Sequence, residues 1–129
     1  MDKRILCVDD DEGVREVLLR LARRWGYEIE CASGVEDAME MFEALNPFLV
    51  ITDLRLGHID GVTLADRLHR QYDPLCIFIA LTGMLDSYDL SYLLTVFTDV
   101  FIKPVDMPTL KTTIDYAWKK RRRWESLLR

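Results

Sequence analysis

The chain is short of the residues that many catalytic and exported proteins depend on. Among its 129 residues there are only two histidines, His58 and His69, and neither stands beside a serine or cysteine in a nucleophile-base arrangement. Its three cysteines, Cys7, Cys31 and Cys76, are an odd set lying in apolar runs. They read as small core residues in a reducing compartment and not as a disulfide framework. No run of about 18 apolar residues is present, and the amino terminus lacks the charged start and long apolar stretch of an export signal. The expectation is a cytoplasmic protein without membrane contact. Four prolines and six glycines fall between apolar segments, and no repeat or linker stands out.

Half of the residues are hydrophobic, enough for one compact core and too few for two ordinary domains. Net charge is −5, but it is segregated: the last eleven residues, KKRRRWESLLR, hold six basic side chains and one acidic, which leaves −10 on residues 1–118. We therefore expect a domain over 1–118 and a basic extension of its last helix over 119–129. A basic run at a helix end is ordinarily a solvated face favoured by the macrodipole. Trp124, Leu127 and Leu128 continue an apolar stripe beyond it.

Short apolar runs alternate with helical periodicity along the chain. Arg4–Val8 reads as a buried strand that ends in three aspartates. Val14, Val17, Leu18, Leu21 and Trp25 form one helical face, closed by Gly26. Tyr27–Ala32 alternates as a half-buried strand, and a helix with Val35, Ala38, Met39, Phe42 and Leu45 inward stops at Asn46-Pro47. Phe48–Thr52 is a buried strand running into Asp53; LRLGHIDG then reads as a loop, and Val62, Ala65 and Leu68 mark the next helix. Leu75–Leu81 is a central strand ending in Thr82-Gly83. A weaker helix over Leu85–Phe97, with Leu90, Leu93, Leu94 and Phe97 inward, leads to a short strand at Val100–Ile102. Asp106 can cap a last helix lined by Leu110, Ile114, Ala117 and Trp118.

Five strands alternating with five helices on short loops predict an α/β fold, a single doubly wound parallel sheet. In such sheets ligands sit beyond the carboxyl ends of the strands. The polar residues that end the apolar strands, Asp9, Asp10, Asp53, Thr82 and Lys103, therefore converge on one rim. Neighbouring carboxylates at ~4 Å repel by about 4 kcal/mol per pair at an effective dielectric near 20, so a cation belongs among them. Oxygen-only ligation favours Mg2+, with Mn2+ as a substitute. A hard cation, a lysine point charge and a threonine hydroxyl are the parts that hold a transferring phosphoryl group, and the nucleophile left is a carboxylate.

VDDDEGVRE at 8–16, Asp53 closing FLVITD with IDG after it, the ALTG strand end and the IKP tripeptide resemble the receiver domains of two-component response regulators, over residues 4 to about 118. The resemblance implies a flavodoxin-like sheet of order 2-1-3-4-5. It implies that Asp53 accepts a phosphoryl group from a sensor histidine kinase or phosphotransfer protein. Asp10 would bind the metal directly and Asp9 mainly through water, while Asp53 and the backbone carbonyl of Arg55 complete the set. Thr82 would bond the phosphoryl oxygen, Lys103 would pair with the phosphate across a cis peptide to Pro104, and Gly83 would leave room for the incoming group. Further partners implied are a second copy, through the fourth and fifth helices or the extended C-terminus, and nucleic acid only through an output module outside these residues.

The sequence departs from that family at several places. Val100 stands where an aromatic is usual, and strand alternation points Phe101 to the opposite face. FTDV follows the fourth helix in place of Gly-Ala, so Leu93, Leu94 or Phe97 is expected to be partly exposed. Arg55 and Met84, two residues past Asp53 and Thr82, are long side chains expected to hinder hydrolytic water. Two other readings compete. Asp9 and Asp11 can be read as nucleophile and general acid of a haloacid-dehalogenase-like phosphatase, or the domain can be a pseudo-receiver that only binds.

Overall fold

The computed structural model describes residues 3–85 and 88–128. Its elements are β1 (Arg4–Val8), α1 (Glu12–Arg24), β2 (Glu28–Ala32), α2 (Val35–Leu45), β3 (Leu49–Asp53), α3 (Gly61–Gln71), β4 (Ile77–Thr82), α4 (Leu90–Val96), β5 (Asp99–Ile102) and α5 (Met107–Leu127). The five strands are parallel and ordered β2-β1-β3-β4-β5. This is the doubly wound sheet the alternating pattern predicts. Between β3 and α3 the expected loop contains a two-residue antiparallel ladder, Arg55–Leu56 with Ile59–Asp60, turning at Gly57 with φ +78°.

Strand alternation divides the core in two. Leu6, Val8, Val50, Phe78 and Ala80 face α2, α3 and α4, where they meet Phe42, Leu64, Leu68 and Leu93. Ile5, Cys7, Ile29, Ile51, Ile79 and Leu81 face α1 and α5, against Leu18, Ala22, Leu110, Ile114 and Trp118. Central strands buried on both sides must be apolar at every position, which explains the continuous runs of β3 and β4. Val100 packs on the α2–α4 side and Phe101 on the α1–α5 side, as the alternation predicts.

Aspartates set the helix starts. Asp11, Asp60, Asp89 and Asp106 each accept backbone N–H groups at the N-cap of α1, α3, α4 and α5. α2 ends on Asn46 in the left-handed region, ahead of Pro47.

The fourth helix departs from expectation. It runs from Leu90 to Val96, residues 86–87 of the expected span lie outside the described residues, and Leu90 and Leu94 are exposed instead of inward. Leu93 and Phe97 are buried, and of the three residues expected at the surface only Leu94 is there. Asp89 starts the helix late and β-branched Thr95 and Val96 end it, leaving room for one inward turn. α3 and α1 bury Leu64 and Ala22, which the apolar stripes had not included.

The last helix is continuous through Leu127, so the 119–129 extension is helical over its described part. It is anchored as well: Arg121 is 5% exposed and lies 2.9 Å from Asp73 in the α3–β4 loop.

Candidate functional site

The carboxyl ends of β1, β3, β4 and β5 deliver the expected residues to one rim. Asp9, just past β1, is buried with both carboxylate oxygens engaged: Oδ1 accepts the Asp11 N–H at 2.9 Å and Oδ2 accepts Lys103 Nζ at 2.8 Å. Asp53 ends β3; its Oδ1 accepts the Arg55 N–H at 3.2 Å and its Oδ2 accepts the same Lys103 ammonium at 3.0 Å. Asp10 is exposed at the mouth. One ligand oxygen from each of Asp9, Asp10 and Asp53 lies within 4.8 Å of the others.

Lys103 is held in place by its backbone, whose N–H donates to the Thr82 carbonyl at 2.8 Å, and its peptide to Pro104 is cis. Burial alone would lower the lysine's pKa, but hydrogen bonds to Asp9 and Asp53 outweigh it and hold the ammonium above its ordinary range. The Asp9 carboxyl moves up: burial outweighs the help of Lys103 and the Asp11 N–H, and the charge of Asp53 adds to the rise. One ammonium against three carboxylates leaves negative charge in excess. A divalent cation held by oxygen donors fits this set, and Asp10, with its carboxylate at the surface, gives it an entry.

The remaining candidates sit close by. Thr82 is buried, and its hydroxyl donates to the Met84 carbonyl at 3.0 Å while accepting the Met84 N–H at 3.2 Å. In this state the hydroxyl is engaged in a local turn. A Cβ added at Gly83 would meet nothing within 4 Å, so space is open there. Arg55 and Met84 are both exposed flanking side chains.

Three supporting residues escaped the sequence reading. Arg15 on α1 donates from Nη1 to the Asp9 carbonyl at 2.8 Å. Tyr88 donates to the Leu54 carbonyl at 3.4 Å, and burial, with the charge of Asp60, raises its phenol above the ordinary range. Gly61 opens α3 against the end of β3, where a Cβ would lie 2.2 Å from the Asp53 carbonyl oxygen. Gly61 carried a signal as the glycine of IDG, and Arg15 stands within VDDDEGVRE, but its contact is to a backbone carbonyl that no side-chain pattern marks; Tyr88 reaches Leu54 from 34 residues away.

The phosphatase alternative is not favoured by this arrangement. Asp11 Oδ1 is committed to the α1 N-cap, accepting Gly13 and Val14 N–H groups at 2.8 and 3.2 Å, and Asp9 is more deeply buried than Asp53.

Comparison with known proteins gives a consistent result. The pattern described as response regulator receiver domain matches residues 5–115. The alkaline phosphatase synthesis transcriptional regulatory protein PhoP of Bacillus subtilis is 35% identical over 89 residues, covering 69% of this chain and 37% of that protein. The regulatory protein AtoC of Escherichia coli is 28% identical over 116 residues, covering 88% of this chain and 25% of its own length. This chain thus spans well under half of those regulators. Among solved structures, response regulator TrrA from Thermotoga maritima in complex with Mg2+ and BeF superposes with a TM-score of 0.77 at 30% identity, covering 89% of this chain and 98% of that one. The signal receiver domain of an HD domain-containing protein from Pseudomonas fluorescens gives a TM-score of 0.85 at 26% identity, with 95% and 99% covered.

Proposed function

This chain belongs to the response regulator receiver domain family, and we propose on that footing that Asp53 is its phosphoacceptor, taking the phosphoryl group from a sensor histidine kinase or a phosphotransfer protein. The observation that carries this reading is Lys103 bridging Asp9 and Asp53 at 2.8 and 3.0 Å beside a three-carboxylate cluster. In this reading Asp53 attacks phosphorus with one carboxylate oxygen while the bond to the donor's nitrogen breaks, and the product is an acyl phosphate.

A divalent metal, Mg2+ or in its place Mn2+, would be held directly by Asp10, Asp53 and the Arg55 carbonyl, and through water by Asp9. It would supply charge neutralisation at the phosphoryl oxygens. Lys103, already charged, pairs with the phosphate. Thr82 exchanges its bond to Met84 for one to the phosphoryl oxygen, and that exchange relays the modified state outward. Gly83 leaves space for the group. The chemistry of the domain itself is limited to its own phosphorylation and dephosphorylation, and its output runs through a partner or a further module. Residues 1–118 form the receiver unit and 119–129 a basic helical extension of it. A second copy pairing through α4 and α5 or through the extension is a partner in this reading, and nucleic acid is reached only through an output module. We assign the chain to the cytoplasm; among the described residues no helix is long and apolar enough to cross a membrane.

Acetyl phosphate with Mg2+, followed by intact-mass and peptide analysis, tests the assignment. One phosphoryl group is expected on Asp53, lost in Asp53→Asn and on metal chelation. Labelling at Asp9, or turnover of a phosphoester that survives Asp53→Asn, overturns it.

A further inference from the structure

We propose that Cys31 and Cys7 form a peroxide-sensitive dithiol, Cys31 being the residue attacked and Cys7 the one that resolves it to a disulfide. The two are direct register partners on the adjacent parallel strands β2 and β1, and both project to the α1–α5 side of the sheet. Neighbouring strands lie about 4.8 Å apart. This falls inside the Cα separation of roughly 4.4–6.8 Å that a disulfide spans.

The two thiols are not equivalent. Cys7 is 1% exposed in the middle of the sheet, whereas Cys31 is half-buried on the edge strand, where a small oxidant can reach it. The Cys31 Sγ–H points to the Arg15 carbonyl at 3.7 Å. The neighbouring Cys7 thiol, which can donate to a thiolate, outweighs the opposing effect of burial. The positive charges of Arg15 and Arg23 add to it, so Cys31 is held below the ordinary thiol range. Cys76 lies apart, buried on the other face of the sheet, and burial above all pushes its thiol up.

The chemistry balances with hydrogen peroxide as oxidant. The Cys31 thiolate attacks one peroxide oxygen, the O–O bond breaks, and hydroxide leaves with sulfenic acid on Cys31. The Cys7 sulfur then attacks the Cys31 sulfur; the S–O bond breaks, and the departing hydroxide takes up the Cys7 proton as water. Two thiols are oxidised and one peroxide is reduced to two waters. The position has a bearing on the acidic rim. Cys7 is two residues ahead of Asp9, and Arg15, whose carbonyl meets Cys31, holds the Asp9 carbonyl with its guanidinium.

The experiment uses the reduced full chain. Hydrogen peroxide should lower its intact mass by two hydrogens and yield a Cys7–Cys31 linked peptide, with Cys76 still alkylatable. In Cys7→Ser, dimedone should trap the sulfenic acid on Cys31; in Cys31→Ser, neither disulfide nor trap should form. A measurement on the unmutated protein guards against a variant that folds poorly: native alkylation by iodoacetamide should modify Cys31 about tenfold or more faster than Cys7 or Cys76, following thiolate character and access. Equal rates, a peroxide product at Cys76, or a disulfide between chains overturns the proposal.

Discussion

Two glycines next to the reaction centre differ in what they protect. A methyl at Gly61 would drive into the Asp53 carbonyl at 2.2 Å, a backbone contact that cannot rotate away, whereas a methyl at Gly83 meets open space. Gly61→Ala should therefore destabilise the fold by about 1–3 kcal/mol, the usual cost of overpacking. It should also lose labelling at Asp53 by displacing that backbone. Gly83→Ala should stay within about 0.5 kcal/mol of the parent, since it touches nothing. Urea denaturation read beside acetyl-phosphate labelling checks both, and equal stability of the two variants would remove the steric account. The lifetime of the acyl phosphate is set by the residues around its mouth. Arg55 and Met84 are exposed there, two residues beyond Asp53 and Thr82. Arg55→Asn or Met84→Glu should let water in and shorten the phosphorylated half-life severalfold in Mg2+; unchanged decay in both variants would show that these side chains do not gate the water.

At the scale of elements, side-chain contacts tie helices to the sheet at points the chain's periodicity does not reveal. Tyr27, just before β2, donates its hydroxyl to Asp115 of α5, and Lys111 one turn earlier reaches the same carboxylate at 2.8 Å. Partial burial opposes the charge on Asp115, but Lys111 and Tyr27 together overcome it and hold the carboxyl below its ordinary range. A carboxyl whose folded pKa is depressed contributes stability above its unfolded pKa and loses that contribution as pH falls through the folded value. Asp115→Asn should therefore be less stable than the parent near pH 7, with the gap closing once the pH drops below about 4. Urea midpoints across that range decide it, and a gap independent of pH would assign the effect to packing. The elements themselves were legible where apolar residues repeat strongly. β3 and β4 are buried on both faces and could be read as unbroken apolar runs; α5 could be read from its stripe and the Asp106 cap. α4 was legible as a helix but not in its bounds or its inward face, because seven residues give too few turns for a period to assert itself, and only its contact with α3 and the sheet decides that Leu93 turns inward while Leu90 and Leu94 do not. The acidic rim was legible because each of its residues ends a strand. Arg15 and Tyr88 were not: Arg15 holds a backbone carbonyl, which no side-chain pattern marks, and Tyr88 meets Leu54 from 34 residues away.

Across the whole molecule charge is arranged by pole. The acids that end β1 and β3 gather at the carboxyl edge of the sheet, while α5 carries Lys119, Lys120, Arg122 and Arg123 toward its far end. The extension is nonetheless part of the folded body, because the apolar side of α5 does not stop at Trp118. Arg121, with a side chain 7% exposed, pairs with Asp73 at 2.9 Å and with Glu125 at 3.2 Å, and Trp124 lies with Pro74 and Leu75 along the same groove. The pairing is imperfect: Arg121 Nη1 has no hydrogen-bond partner, and the contact at Asp73 Oδ2 lies off the hydrogen-bond line. Breaking a buried pair from one side strands a charge at a cost of about 3–5 kcal/mol, whereas replacing both partners relieves desolvation and can be neutral. Arg121→Ala should thus destabilise by about 3 kcal/mol, and Arg121→Met combined with Asp73→Asn should recover to within about 1 kcal/mol of the parent. The Asp73→Asn change preserves the acceptor for the Leu75 N–H, now bonded to Oδ1 at 2.9 Å, so the cycle isolates the charge. Chemical denaturation of Arg121→Met, of Asp73→Asn and of their combination measures the coupling. A loss below about 0.5 kcal/mol for Arg121→Ala is what a solvated helix end gives, and it would return residues 119–128 to the status of an appendage.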